Sequence, residues 1–319
     1  MKLIKIILIY CLLLLFNNSF AKPVEDTLKV KKDSVVVWKM GGLFTTTLSQ
    51  VKFENWAQGG KNSFSNITFL NLYVNYKKGK NVWDNTFDLR YGVYKNKDEA
   101  LMKMDDKIDF SSKYGLAAGR KWYYSALINA KTQFNKGYSY GKDTTIISDF
   151  LAPAYITMAL GMDYKPSDKF TLFLSPFSGK STIVNNRILA NRGMYGVEKA
   201  RMDNTGKNVI EEGKRIRNEF GGYIKTMLSF EIVKNISFQS KLDMFSNYME
   251  KAGNIDVNWE VLLTMKINKY VSANINTQLI YDDDVATAID TNNDKKVDLF
   301  LASKTQFKET FGISFSFKF

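Results

Sequence analysis

The sequence predicts an all-β protein, a transmembrane up-and-down antiparallel β-barrel of about 12 strands. Period-two alternation of apolar and polar residues recurs about twelve times, over roughly 10 to 15 residues each, the length of a strand that crosses a bilayer. The joins between these segments alternate short and long. The chain closes with Phe311, Ile313, Phe315, Phe317 and Phe319 on one face, against Gly312, Ser314, Ser316 and Lys318 on the other. In a chain with 24% charged residues that bare aromatic face needs a cover. Lipid provides it without a second protein layer, and closing the sheet pairs every backbone group that hydrocarbon cannot satisfy.

Residues 1–21 carry Lys2 and Lys5, an apolar run from Ile6 to Phe16, and small residues at Ser19 and Ala21. This is the pattern of an export signal. Residues 22–37 are expected as a short periplasmic N-terminal segment and 38–319 as the barrel. No later stretch approaches the ~20 apolar residues of a membrane helix.

Strands are expected at about 38–53, 63–77, 81–94, 105–118, 121–136, 152–165, 169–178, 216–232, 235–248, 255–267, 270–281 and 305–319. The third sets Trp83, Phe87, Leu89, Tyr91 and Val93 against Asp84, Thr86, Asp88, Arg90 and Gly92. The tenth sets Val257, Trp259, Val261, Leu263 and Met265 against Asn258, Glu260, Thr264 and Lys266. A soluble two-sheet sandwich also alternates, with its apolar face inward. Connection lengths discriminate between the two. Tight joins at 77–80, 119–120, 166–168, 233–235 and 268–269 alternate with long ones, above all 179–215 and 282–304. Turns at one rim and loops at the other are the habit of a membrane barrel, and an even strand count puts both termini at the periplasmic rim.

Aromatic placement agrees. Trp83, Trp122 and Phe170 follow tight joins, and Tyr76 and Tyr164 precede them, as an interfacial belt requires. Tyr94, Tyr248, Trp259 and Tyr281 mark the opposite rim, and Phe319 ends the last strand at the interface.

Composition excludes much chemistry. The chain has no histidine, and its one cysteine, Cys11, lies in the export signal. A Ser-His-Asp hydrolase, a Cys-His protease and a histidine-ligated metal centre therefore cannot be built from the barrel. The net charge is +13. The excess lies in the turns, at Lys77, Lys78, Lys80, Arg120, Lys121, Lys165, Lys169, Lys234 and Lys269, and in the longest loop. Its location predicts contact with outer-membrane lipids and lipopolysaccharide, with no nucleic-acid partner.

The polar face of each strand, turned inward, gives Arg90, Lys113, Lys131, Lys225, Lys241, Lys266, Lys308 and Lys318 against Asp84, Asp88, Asp109, Asp163, Glu219, Glu231, Asp243 and Glu260. The two sets balance. With Tyr73, Tyr123, Tyr155 and Tyr223 also inward, the interior is expected to be filled by cross-strand ion pairs. Solute passage is the alternative, because a twelve-stranded lumen falls between the filled and channel-forming sizes. Inward carboxylates beside cations favour salt bridges over acid–base catalysis, so no catalytic residue is expected.

Two loop motifs stand out. Asp290, Asn292, Asp294 and Asp298 space oxygen ligands as a calcium loop does, which makes calcium the single cofactor candidate. Lys295 stands where that loop needs glycine, and Leu301 where it needs a bidentate glutamate, so an ordinary Asx-turn loop is the plainer expectation. Trp56, beside Gly59-Gly60 in the first long loop, reads as an interface anchor.

Asn55-Trp56-Ala57-Gln58-Gly59-Gly60, Ser175-Pro176-Phe177-Ser178-Gly179-Lys180, Gly193-Met194-Tyr195-Gly196-Val197, Glu219-Phe220-Gly221-Gly222-Tyr223 and Tyr281-Asp282-Asp283-Asp284, followed by Gln306-Phe307-Lys308-Glu309, resemble a Bacteroidetes-type outer-membrane family known as domain of unknown function 3078. The resemblance implies a barrel and an outer-membrane location and carries over no catalytic or ligand residues. The sequence thus points to a non-enzymatic structural or accessory component of a Gram-negative outer membrane. Its expected partners are the assembly machinery, through the C-terminal strand, and other outer-membrane subunits. A narrow passive channel for small polar solutes, gated by the 179–215 loop, is the alternative.

Overall fold

The computed structural model describes residues 37–54, 61–139, 145–206, 208–284, 286–289, 299–302 and 305–319. The expected export signal, the expected periplasmic lead up to residue 36, Trp56 and the calcium candidates Asp290, Asn292, Asp294 and Asp298 lie outside the described residues.

The strands are β1 Trp38–Val51, β2 Ser63–Lys78, β3 Asn81–Asn96, β4 Met102–Gly119, β5 Trp122–Thr132, β6 Gly137–Ser139, β7 Thr145–Ser148, β8 Ala154–Ser167, β9 Phe170–Ile183, β10 Arg201–Met202, β11 Val209–Glu211, β12 Ile216–Val233, β13 Ile236–Asn247, β14 Ile255–Lys266, β15 Val271–Tyr281, β16 Ala286–Ile289, β17 Leu299–Ala302 and β18 Gln306–Lys318. Twelve of them close a barrel in the order β1-β18-β15-β14-β13-β12-β9-β8-β5-β4-β3-β2, every pair antiparallel. The pairs β6/β7, β10/β11 and β16/β17 are hairpins within the long loops. The sheet closes where β1 meets β18, from Leu43 opposite Lys318 to Leu48 opposite Ile313. Phe319 adds reciprocal backbone bonds to Gly42 at 2.9 and 3.1 Å. No free edge remains in this ring.

Tight turns define one rim and long loops the other. Arg120 and Lys121, with φ of 44° and 74°, form the two-residue left-handed turn that matches strand twist. The outer wall carries the apolar set. Phe311, Ile313, Phe315, Phe317 and Phe319 are all at least half exposed, as a hydrocarbon-facing wall requires.

Two boundaries differ most from expectation. β5 ends at Thr132, before 136, and β9 runs to Ile183, beyond 178. The second follows from a bulge: Phe177 pairs with Leu160, but Leu174 already pairs with Met162. Ser175 Oγ donates to the Leu160 carbonyl at 2.8 Å and lies 2.9 Å from that of Phe177. Pro176, which has no N–H for the ladder, sits in the bulge. Opposite it, a Cβ on Gly161 would run into the Leu174 carbonyl, and on β12 a Cβ on Gly221 would run into that of Ser246.

The 179–215 segment is also more ordered than a solvated basic loop. After β9, Asn186 caps a short helix, Arg187–Asn191, by accepting from the Ile188 and Leu189 amides at 3.0 and 3.3 Å. Leu189, Ala190, Val184, Val197 and Ala152 are buried together, with Ile146, Met194 and Tyr195 packed on them. This small core joins the segment to the loop before β8.

Candidate functional site in the barrel lumen

Because side chains alternate across each strand, the polar stripes meet inside the barrel. At mid-height they bridge it. In the ring of twelve, β4 stands six places from β14 and β3 six places from β13, so these pairs face each other across the full diameter. Lys107 Nζ on β4 lies 2.6 Å from Glu260 Oε1 on β14, and Lys241 Nζ on β13 lies 3.3 Å from Asp88 Oδ2 on β3. Arg90 joins Glu260 at 3.4 Å and Asp105 at 3.8 Å, and Lys308 joins Asp105 at 2.9 Å. Lys131 and Lys225 share Asp243 at 2.7 and 3.4 Å, and Tyr223 donates to it at 2.9 Å. Asp109 receives Lys107 at 3.3 Å. Each charge has an opposite neighbour, the condition under which buried ions are tolerated.

Beside this network one part of the lumen is dry. Leu127, Ala159, Phe173, Tyr223 and Phe245, from β5, β8, β9, β12 and β13, form an apolar cluster with Phe173 0% exposed. Lys113 lies 5.7 Å from the Phe173 ring centroid and 2.8 Å from Asp163. Lys165 pairs with Asp163 at 3.3 Å and with Asp84.

Towards the long loops, Lys180 sits among Asp256, Glu219 and Asp282 at 2.6, 3.7 and 3.8 Å, with the Phe245 and Tyr155 rings over it. Arg217 binds Asp284 at 2.7 Å, Glu250 at 3.0 Å and Glu219 at 3.5 Å. The turn Met194–Gly196 closes over this cluster, since a Cβ on Gly196 would collide with the Arg217 guanidinium and touch Asp284. Tyr195 donates to the Ile147 carbonyl, and burial pushes its phenol pKa up.

Towards the tight turns, the lumen widens into a cavity of about 710 Å³ beneath Arg90, Asp105 and Glu260. Its walls carry Thr45, Asn71, Gln239 and Asn274, and Lys266 and Lys318 lie at its mouth. Among the described residues neither lysine has a carboxylate within ion-pair reach.

Of the expected lumen residues, Asp84, Asp88, Arg90, Lys113, Lys131, Lys225, Lys241, Asp243 and Glu260 thus fall in ion pairs, and Lys266 lines the cavity. Glu231 instead accepts the Asn235 amide at 2.8 Å in a tight turn. Trp83 and Tyr76 pack with Trp38 at 6.3 and 4.8 Å, and Trp122 with Tyr164 at 4.7 Å, beside the tight turns. Trp259 and Phe319 are exposed, Trp259 Nε1 donating to Ser240 at 2.9 Å. Among the described residues no three carboxylates converge as a metal site.

Sequence reasoning missed Asp105 and Lys107, although both share the inward parity of Asp109. It left Lys165 in a turn and Lys180 and Arg217 in a loop. Lys180 faces inward because the Pro176–Phe177 bulge resets the alternation. Phe173, Leu127 and Phe245 carried no polar signal to mark them as inward.

Residues 48–138 match the family described as Protein of unknown function (DUF3078). That is the family the sequence motifs resemble. Residues 192–303 match Protein of unknown function, DUF481, and this stretch holds the motifs at 193–197, 219–223 and 281–284. No curated protein matches the sequence. Among solved structures, the chain is similar to an outer membrane channel from Pseudomonas putida F1 (10% identity, TM-score 0.39, covering 91% of this chain and 99% of that one). It is also similar to the NanC porin (9%, 0.37, 86% and 98%) and to the translocator domain of the autotransporter NalP from Neisseria meningitidis (9%, 0.36, 89% and 90%).

Proposed function

We propose that this chain is a non-enzymatic barrel of a Gram-negative outer membrane, exported by its N-terminal signal, that serves as a sealed structural or accessory component. The single observation that carries the reading is the pair of full-diameter ion pairs, Lys107 with Glu260 and Lys241 with Asp88. Two opposite walls joined at the centre narrow the lumen there, which supports the sealed reading. The close approach of the Met194–Gly196 turn to Arg217 and Asp284 supports a second constriction. The lumen carboxylates described above are engaged by cations, which favours salt bridges over acid–base work. The basic loop and the aromatic outer wall suit contact with lipid and lipopolysaccharide, and the C-terminal aromatic strand suits recognition by assembly machinery. Other outer-membrane subunits are candidate partners.

The test is planar-bilayer conductance of the purified full chain. Wild type is expected to give no stepwise current. Arg90→Ala, Lys107→Ala and Lys241→Ala together, which remove the cations that reach Glu260 and Asp88 across the lumen, are expected to give flickering steps. Stable wild-type steps would favour the second reading, a narrow passive channel for small polar solutes. That reading is supported by the cavity of about 710 Å³ that leads up to the ion network, with the network as its gate.

A further inference from the structure

The cavity at the tight-turn end is more than the remainder of an unfilled lumen. Its volume, about 710 Å³, is in the range of small-molecule sites. Its walls mix hydroxyl and amide side chains with apolar ones, among them Leu43, Ile67, Phe69, Phe238 and Leu262.

The charge around the mouth is predominantly positive: Lys266, Lys269 and Lys318 line it, and the basic residues of the turns outnumber Asp168 and Glu231. The inner acids are already engaged: Asp105 by Lys308 and Arg90, and Glu260 by Lys107 and Arg90. A low-dielectric funnel with unmatched cations at its entrance concentrates anions.

We propose that this cavity binds a small hydroxylated organic anion, bearing a phosphate or a carboxylate, that enters from the tight-turn rim and is held by Lys266 and Lys318. The proposal goes beyond the sealed-barrel reading and stands whether or not the barrel conducts.

Isothermal titration of the full chain in detergent micelles tests it, with glucose 6-phosphate and glucuronate as probes and glucose as the uncharged control. At least one anion is expected to bind and glucose to give no heat; the anion that binds identifies the preferred group. Lys266→Gln and Lys318→Gln are each expected to weaken binding about tenfold or more, the value of a charge-assisted hydrogen bond. Lys121→Gln, a rim cation outside the cavity, is expected to change it less than about twofold. Heat-modifiable gel mobility checks that each variant is folded, and if one is not, the other carries the comparison. Raising the salt concentration on wild type must also weaken binding. Binding of neither anion, equal binding of glucose, insensitivity to salt, or an equal loss in Lys121→Gln would overturn the proposal.

Discussion

The two sides of the lumen obey opposite rules. Where β5, β8, β9, β12 and β13 adjoin, the inward stripe is interrupted by Leu127, Phe173, Tyr223 and Phe245, and water is excluded. Where β14, β15, β18, β1 and β2 adjoin, the inward stripe is Thr45, Asn71, Asn274 and their neighbours, and a cavity remains. Both sides share one closed ladder, so the difference is made by side chains alone. The packed side behaves as a protein core and holds the ion bridges in place. The open side has room for a guest. Stability should therefore reside on the first side and tolerance to substitution on the second.

The two sides should differ most at Phe173. Phe173→Ala on the packed side is expected to cost ~3–5 kcal/mol, read as a lowered urea midpoint for refolding in detergent; Thr45→Ala on the open side should stay within ~0.5 kcal/mol. Equal losses would dissolve the distinction. Next comes the bridge between the sides. Lys107→Met leaves Glu260 facing Arg90 alone and is expected to cost about 3 kcal/mol in the same assay. The outer wall then sharpens the account, because its partner is lipid on every side. Phe311→Lys, at the strand's mid-height opposite Ile275, is expected to cost ~2–4 kcal/mol in bilayers, and a neutral result would contradict a hydrocarbon-facing wall. Smallest is Lys266→Gln, expected within ~0.5 kcal/mol in stability, its effect falling on anion binding instead.

Most of the barrel was legible from the sequence because membrane strands must be two-faced: Phe311 to Phe319 alternate on β18 since one neighbour is lipid and the other is lumen. The tight turns were legible from Gly79, Arg120 and Asn235, which hold left-handed conformations there. Alternation could not reveal inward residues that are themselves apolar, such as Phe173 and Phe245, nor a register reset such as the bulge at Pro176 that turns Lys180 inward. Charge balance foretold ion pairing but not its geometry. Which cation meets which carboxylate depends on ring position, so the meeting of Lys107 with Glu260 across six strands required the closed sheet. The small core around Leu189 and Val197 was hidden by the basic residues that surround it.

Opposite walls of the barrel touch at mid-lumen, and a double-mutant cycle on Lys107→Met and Glu260→Met measures that contact directly. A coupling energy above ~1 kcal/mol between these residues, carried by strands on opposite sides of the ring, is the predicted result; a coupling indistinguishable from zero would mean that the lumen is open where the account places its seal.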